Sequence, residues 1–178
     1  MRRALPLLTC LALLTGCGIS PTAVASLGSP PVISTEPIFS QVYLIKKGRL
    51  VPQRVRVPGK TAEDLMRTLM DLANHPVESG QDTDLYGMRY QDAEAEPVGH
   101  GQQRLDPSET RSLVLYVTLQ GERELSRVAL AQIVCTARLR TDISKVQVNI
   151  VRTVAPSTTS GRRTCKEFHD LAPAGAPS

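Results

Sequence analysis

The 178-residue chain is 41% hydrophobic and 21% charged, the balance of a globular protein, and its 13 Pro and 12 Gly gather in stretches of linker or turn character. Its formal charge of +4 includes Arg2 and Arg3; without that pair the 21 basic residues become 19 against 17 acidic ones, an excess too small to point to a nucleic-acid partner. Two Phe, four Tyr and no Trp leave little to stack on bases or sugar rings, which weighs against a nucleic-acid groove and leaves a sugar platform short of the same residues.

The amino terminus carries the most specific signal. Arg2 and Arg3 form a positive n-region, and residues 4–14 form a largely apolar run, long enough for a signal-peptide h-region and too short to span a bilayer. Arg2 and Arg3 stand without the rest of a twin-arginine motif, so general secretion is the expected route. Leu14, Thr15, Gly16 and Cys17 then resemble the bacterial lipobox, in which a branched apolar residue and two small ones fit a peptidase cleft. The cysteine is required because its sulfur accepts the diacylglyceryl group. The alternative, a secretory peptide with an accidental cysteine, has the charge, the length and the four-residue motif against it. The expectation is therefore a signal peptide over residues 1–16 and a lipidated Cys17 that holds the chain on the extracytoplasmic face of the cell membrane. Each buried methylene contributes about 0.8 kcal/mol, so two acyl chains suffice for stable attachment.

Residues 17–36 read as a linker, rich in Ser, Pro, Ala and Thr, with adjacent Pro30 and Pro31. As a flexible chain it spans roughly 25 Å. What remains suits a single domain over residues 37–155, followed by a carboxyl tail over residues 156–178 that is only partly ordered.

Inside the domain the periodicities predict an α+β fold, a mixed β-sheet packed by two helices. Residues 41–46 and 49–57 are β-rich runs joined by Lys47 and Gly48, where Gly supplies the positive φ of a tight hairpin, and Pro52 points to an edge or a bulge. Thr61 followed by Asp64 is an N-terminal cap; Leu65, Leu69 and Leu72, widened by Met66, Met70 and Ala73, form the apolar stripe of a helix that Pro76 stops. Residues 82–106 show little periodicity and read as loop, with room for one short strand. Residues 112–119 are apolar on both faces, the pattern of a central strand. Residues 124–139 carry Leu125, Val128, Ala129, Ile133 and Leu139 at helical spacing, and Val146, Val148 and Ile150 alternate in a closing strand.

With these elements in place the chain resembles the GerMN domain of spore-germination proteins and of small actinobacterial lipoproteins. The resemblance rests on Val42 to Ile45 followed by Gly48 to Pro52, the helix capped at Thr61, and Ala131, Gln132, Ile133, Val134 and Thr136 ahead of Val146 to Ile150. It covers roughly residues 41–153. The chain departs from the pattern in residues 77–101, which lack the adjacent Gly and Pro pair, and after the last strand, where no Gly follows closely. The resemblance implies a compact α/β-type module without catalytic residues, used in protein interactions of the envelope.

Export leaves two cysteines, Cys135 and Cys165, in an oxidising compartment where thiols pair, so a disulfide tying the second helix to the tail is expected. The alternative is a buried thiol at Cys135 and an exposed one at Cys165. His75, His100 and His169 lack the spacing of a metal site, and no metal or other cofactor is expected. The chain has no Gly-x-Ser-x-Gly elbow, no His-Glu-x-x-His run and no phosphate-binding Gly loop; Gly99, His100 and Gly101 are a fragment of one and read as loop. Asp92, Glu94 and Glu96 alternate, so on a strand they would share a face as an acid–base pair or a calcium site, although a solvated acidic loop is the commoner cause. Arg162, Arg163 and Lys166 form a short basic run that anionic lipid or wall polymer could meet.

The expected function is a non-enzymatic, membrane-anchored interaction module with an envelope protein as partner, serving signalling, wall maintenance or germination. An apolar patch left exposed would support it. The competing reading is a small-ligand-binding or wall-modifying protein, which requires a deep pocket with convergent titratable groups.

Overall fold

The computed structural model describes residues 37–75, 80–98 and 112–173. Strands β1 (Ile38–Lys46) and β2 (Arg49–Val57) form an antiparallel hairpin. At its turn Lys47 and Gly48 have φ of 52° and 74°, the positive pair that a two-residue connection needs to match the strand twist. Helix α1 (Ala62–Asn74) follows, its start fixed by a capping box: the Thr61 hydroxyl accepts from the Asp64 N–H at 3.0 Å and the Asp64 carboxylate accepts from the Thr61 N–H at 3.1 Å. The Thr61 hydroxyl also donates to the Asp64 carboxylate at 2.6 Å, and this bond, with that from the Thr61 N–H, holds the Asp64 carboxyl below the usual carboxylate range. Gly59 lies so close to this carboxylate that a Cβ there would collide with it.

The second sheet has the order β3 (Arg89–Pro97), β4 (Leu113–Gln120), β5 (Ile143–Val151) and β6 (Thr158–Arg163). The β4–β5 pair is parallel because α2 (Arg127–Ala137) crosses over between them; both outer pairs are antiparallel. A 3-10 helix, Cys165–Phe168, follows β6. The α+β class is as predicted, and so is the central position of β4, expected of a run apolar on both faces: Leu115, Val117 and Leu119 enter the core, Val114 is buried on the other side, and β3 and β5 flank the strand.

Two expectations need correction, and the sheet can be stated more finely. Residues 82–106 were expected to be mostly loop, yet nine of them form β3; the alternating Asp92, Glu94 and Glu96 are the outward half of a strand whose inward positions include Tyr90 and Ala93. The mixed sheet expected is the four-stranded one, and the hairpin stays apart from it with the helices between them: α1 packs on β3, and α2 on both β5 and β1. The segment after residue 155, expected as a tail, supplies β6, the 3-10 helix and the buried Phe168, and the Leu171 carbonyl accepts from the Leu50 N–H at 2.8 Å.

Helix α2 is the centre of the packing. Residues 131–137 are all buried, so it has no solvent face over two turns. Its Ser126 hydroxyl caps the start by accepting from the Ala129 N–H at 3.0 Å, and donates to the Asp84 carboxylate. Gln132 and Thr136, one turn apart, are the two fully buried polar side chains among the described residues. Thr136 Oγ1 accepts from the Tyr43 N–H at 2.9 Å, and Gln132 Nε2 donates to the Tyr43 carbonyl at 3.2 Å. The free edge of β1 is thus docked on helix side chains. Gln132 Oε1 meanwhile accepts from the Asp84 N–H at 2.9 Å, fixing the loop before β3. Tyr43 therefore points its backbone groups away from β2, and its cross-strand partner Pro52 sits where a missing N–H costs no ladder bond.

Candidate functional site

The disulfide expected between Cys135 and Cys165 is present, with a Cα–Cα distance of 4.7 Å and both residues buried. It fastens α2 to the 3-10 helix. A second fastening lies at the first residue of α2, where Arg127 makes two bonds of 2.7 Å to the Asp170 carboxylate and stacks 5.5 Å from the centre of the Phe168 ring. The guanidinium holds the Asp170 carboxyl down at about 2. Leu14, Thr15, Gly16 and Cys17 lie outside the described residues, as do Gly99, His100 and Gly101. His75 and His169 each end a helix at separate places in the fold. Among the described residues no three His, Cys, Asp or Glu gather as a metal site, Asp92, Glu94 and Glu96 included. No helix among them is long and apolar enough to cross a membrane.

Because both helices lie on one face of the four-stranded sheet, the alternation that sends Leu115, Val117 and Leu119 into the core turns Tyr116 and Thr118 outward. The register then aligns one row across four strands: Glu94 on β3, Tyr116 on β4, Gln147 on β5 and Arg162 on β6. The row runs from a carboxylate through a phenol and an amide to a guanidinium. Arg162 donates to the Tyr116 hydroxyl at 2.9 Å, with its guanidinium carbon 6.0 Å from the ring centre. A second row, Asp92, Thr118, Asn149 and Thr159, runs beside it, and Asn149 Oδ1 accepts from the Thr159 hydroxyl at 3.1 Å. The side chains on this face are exposed or half-buried along both rows. Comparison with protein-family models, with curated proteins and with solved structures finds no match to this chain. The face must therefore be read from its own chemistry: hydrogen-bond donors and acceptors in a flat array, acidic at one edge, basic at the other, with an aromatic ring between.

The grooves are of a different kind. One of about 270 Å³ lies at the mouth of the hairpin between Phe39, Val57, Lys60, Leu65 and Arg140. There Arg140 binds the Asp142 carboxylate and the Lys60 carbonyl, and the ion pair pulls the Asp142 carboxyl below its ordinary value. A cleft of about 110 Å³ lies between Leu44, Leu72, Asp82 and Tyr86, and Tyr86 is 72% exposed at its rim. An open depression of about 410 Å³ holds Arg89, Glu122 and Arg123, where the Glu122 carboxylate accepts from the Thr153 N–H at 2.8 Å and is held below its usual range. Each of the two perturbed carboxylates is thus stabilised in its charged form by a structural bond.

Sequence reasoning singled out the carboxylates of β3 and the basic run at Arg162, and the sheet brings Glu94 and Arg162 to opposite ends of one row. It did not find Tyr116 between them. The available signal was the alternation in residues 113–120, which puts Tyr116 and Thr118 opposite the core positions once a second sheet or helix layer is known to cover only one face.

Proposed function

We propose that this chain is a lipid-anchored extracytoplasmic lipoprotein, held in the membrane by diacylglyceryl on Cys17, whose GerMN-like domain is a non-enzymatic interaction module for another envelope protein. The observation that carries the reading is the row Glu94, Tyr116, Gln147 and Arg162 across the sheet face away from the helices, its members exposed or half-buried. Tyr and Arg are the residues that dominate protein interfaces, because each offers a large contact area and directional hydrogen bonds. Opposite charges at the two edges of the face would orient a partner and select against the reversed one. The lipobox pattern at Leu14 to Cys17 and a buried disulfide suited to an oxidising compartment support the location.

The test is photocrosslinking in cells, with a photoreactive residue in place of Thr118 on the open face and, separately, in place of Arg67 on α1. The expected result is one dominant protein adduct from position 118 and none from position 67. The adduct should weaken in Tyr116→Ala and in Arg162→Glu, and fall further in Cys17→Ala. Capture of wall fragments or small molecules alone would replace this reading with the ligand-binding or wall-modifying one. Metabolic labelling with palmitate tests the anchor separately, with label expected on the native chain and absent from Cys17→Ala.

A further inference from the structure

The hairpin differs in charge from the rest of the domain. Residues 37–60 contain Lys46, Lys47, Arg49, Arg54, Arg56 and Lys60 and no Asp or Glu. All six are exposed, and none forms an ion pair with a described carboxylate. Carboxylates concentrate elsewhere: residues 80–98 hold Asp82, Asp84, Asp92, Glu94 and Glu96 against the single cation Arg89. The register puts Phe39 opposite Arg56 and Gln41 opposite Arg54, so these four share the outer face of the hairpin. Phe39 is 51% exposed, and the Arg54 guanidinium lies 4.5 Å from its ring centre. Toward the turn that same face is occupied: Leu50 is buried and bonded to Leu171. The open part is therefore the mouth of the hairpin, where the chain enters the domain at Ile38.

We propose that this mouth, with Phe39, Arg54, Arg56 and Lys60, docks on the anionic phospholipid surface to which the chain is tethered. The proposal rests on the anchored reading above and deepens it. Two features select lipid as the occupant. The first is charge complementarity: unpaired cations around one exposed aromatic ring match an anionic headgroup layer, the cations meeting phosphate and the ring entering the acyl boundary. The second is the covalent path: Ile38 lies twenty-one positions after Cys17 and opens β1, so the tether from the lipidated residue ends at this part of the domain and no other. A tether of that length reaches at most about 70 Å fully extended, and about 25 Å as a coil. Docking at the mouth would leave the outer face of the four-stranded sheet free for a protein partner.

The experiment uses the native lipidated chain in vesicles, with a photoreactive residue in place of Gln41 and, as a control, of Thr118. Vesicles contain either phosphatidylcholine alone or phosphatidylcholine with phosphatidylglycerol. Lipid adducts at position 41 should be at least about tenfold more abundant in the anionic vesicles, and should fall toward the neutral level at about 0.5 M salt. Arg54→Glu together with Arg56→Glu should remove the same excess; both side chains are exposed, and an intact Cys135–Cys165 bond reports that the variant has folded. Equal adduct yields in the two vesicle types, or a larger yield at position 118, would overturn the proposal. So would capture of wall polymer in place of lipid when the same residue is used in cells. Palmitate on Cys17 is read separately, so a labelled chain without adducts at position 41 sinks the docking surface alone, whereas an unlabelled chain sinks the anchored reading itself.

Discussion

Helix α1 presents one stripe to the core, Leu65, Met66, Leu69, Met70 and Ala73, and turns Arg67 and Asp71 to solvent, whereas α2 is buried over seven consecutive residues. The first is held by packing along a single face and by its own cap. The second is held by what reaches it from all sides: the disulfide from the 3-10 helix, the edge of β1 through Tyr43, the loop at Asp84 and the sheet beneath. A surface helix is specified by its own sequence, but a central helix carries partners for other segments. That difference is measurable, because damage to α2 should spread to the hairpin and the tail, while damage to α1 should stay local.

The largest effect should come from removing the disulfide. Cys135→Ala with Cys165→Ala opens a loop with a sequence separation of 30, and the chain-entropy relation gives a loss of about 3 to 4 kcal/mol. Urea denaturation with and without reductant should show it, with the variant insensitive to reductant and the native chain falling to its level. Equal stability in both would mean that α2 and the 3-10 helix need no covalent tie.

Next comes Gln132→Leu, which is similar in size and removes the amide's bonds to Tyr43, Thr83 and Asp84. It leaves the Tyr43 carbonyl and the Asp84 N–H buried without those partners, a loss of about 2 to 4 kcal/mol. Amide hydrogen exchange should quicken at Asp84 while α1 keeps its protection. Protection lost uniformly would contradict the distinction between the helices.

On α1 the matching change is smaller. Thr61→Ala removes the capping hydroxyl and should cost about 1 kcal/mol, with faster exchange confined to the first turn. The Asp64 carboxyl should titrate nearer its ordinary value, because the Thr61 hydroxyl that holds it down is gone.

The smallest effect is one of pH. Asp170 has its folded pKa depressed to about 2 by the Arg127 bond, below its unfolded value, so its contribution is fully present above the unfolded pKa and is lost as pH falls through about 2. In Arg127→Gln the acid limb of the stability profile should flatten between about pH 4 and 2. Carbon-detected NMR titration of the Asp170 carboxyl should then find an ordinary pKa. An unchanged titration would show that the two bonds to Arg127 do not hold in solution.

The features legible in the residues are the ones governed by neighbours in the chain. Lys47 and Gly48 specify the hairpin turn through the φ they tolerate, Thr61 and Asp64 specify where α1 begins, and the apolar alternation of residues 113–120 specifies a core strand. The expectation of export, which leaves two cysteines, was enough to pair Cys135 with Cys165. What the chain alone could not reveal depends on contacts between distant segments. Asp92, Glu94 and Glu96 read as a solvated loop because charge on an outer strand face looks the same as charge on a loop until β4 supplies the ladder. The segment after residue 155 read as a tail because Thr158–Arg163 has too little apolar character to predict burial, and only the edge of β5 makes it a strand. Gln132 and Thr136 look like ordinary polar helix positions, and become the docking groups of β1 only when α2 is enclosed. The row Glu94, Tyr116, Gln147 and Arg162 is a product of register, since its members come from four strands and over sixty residues of chain. Local conformational preference is written residue by residue, whereas which polar groups end up side by side is decided by the sheet order and by the one face that the helices leave open.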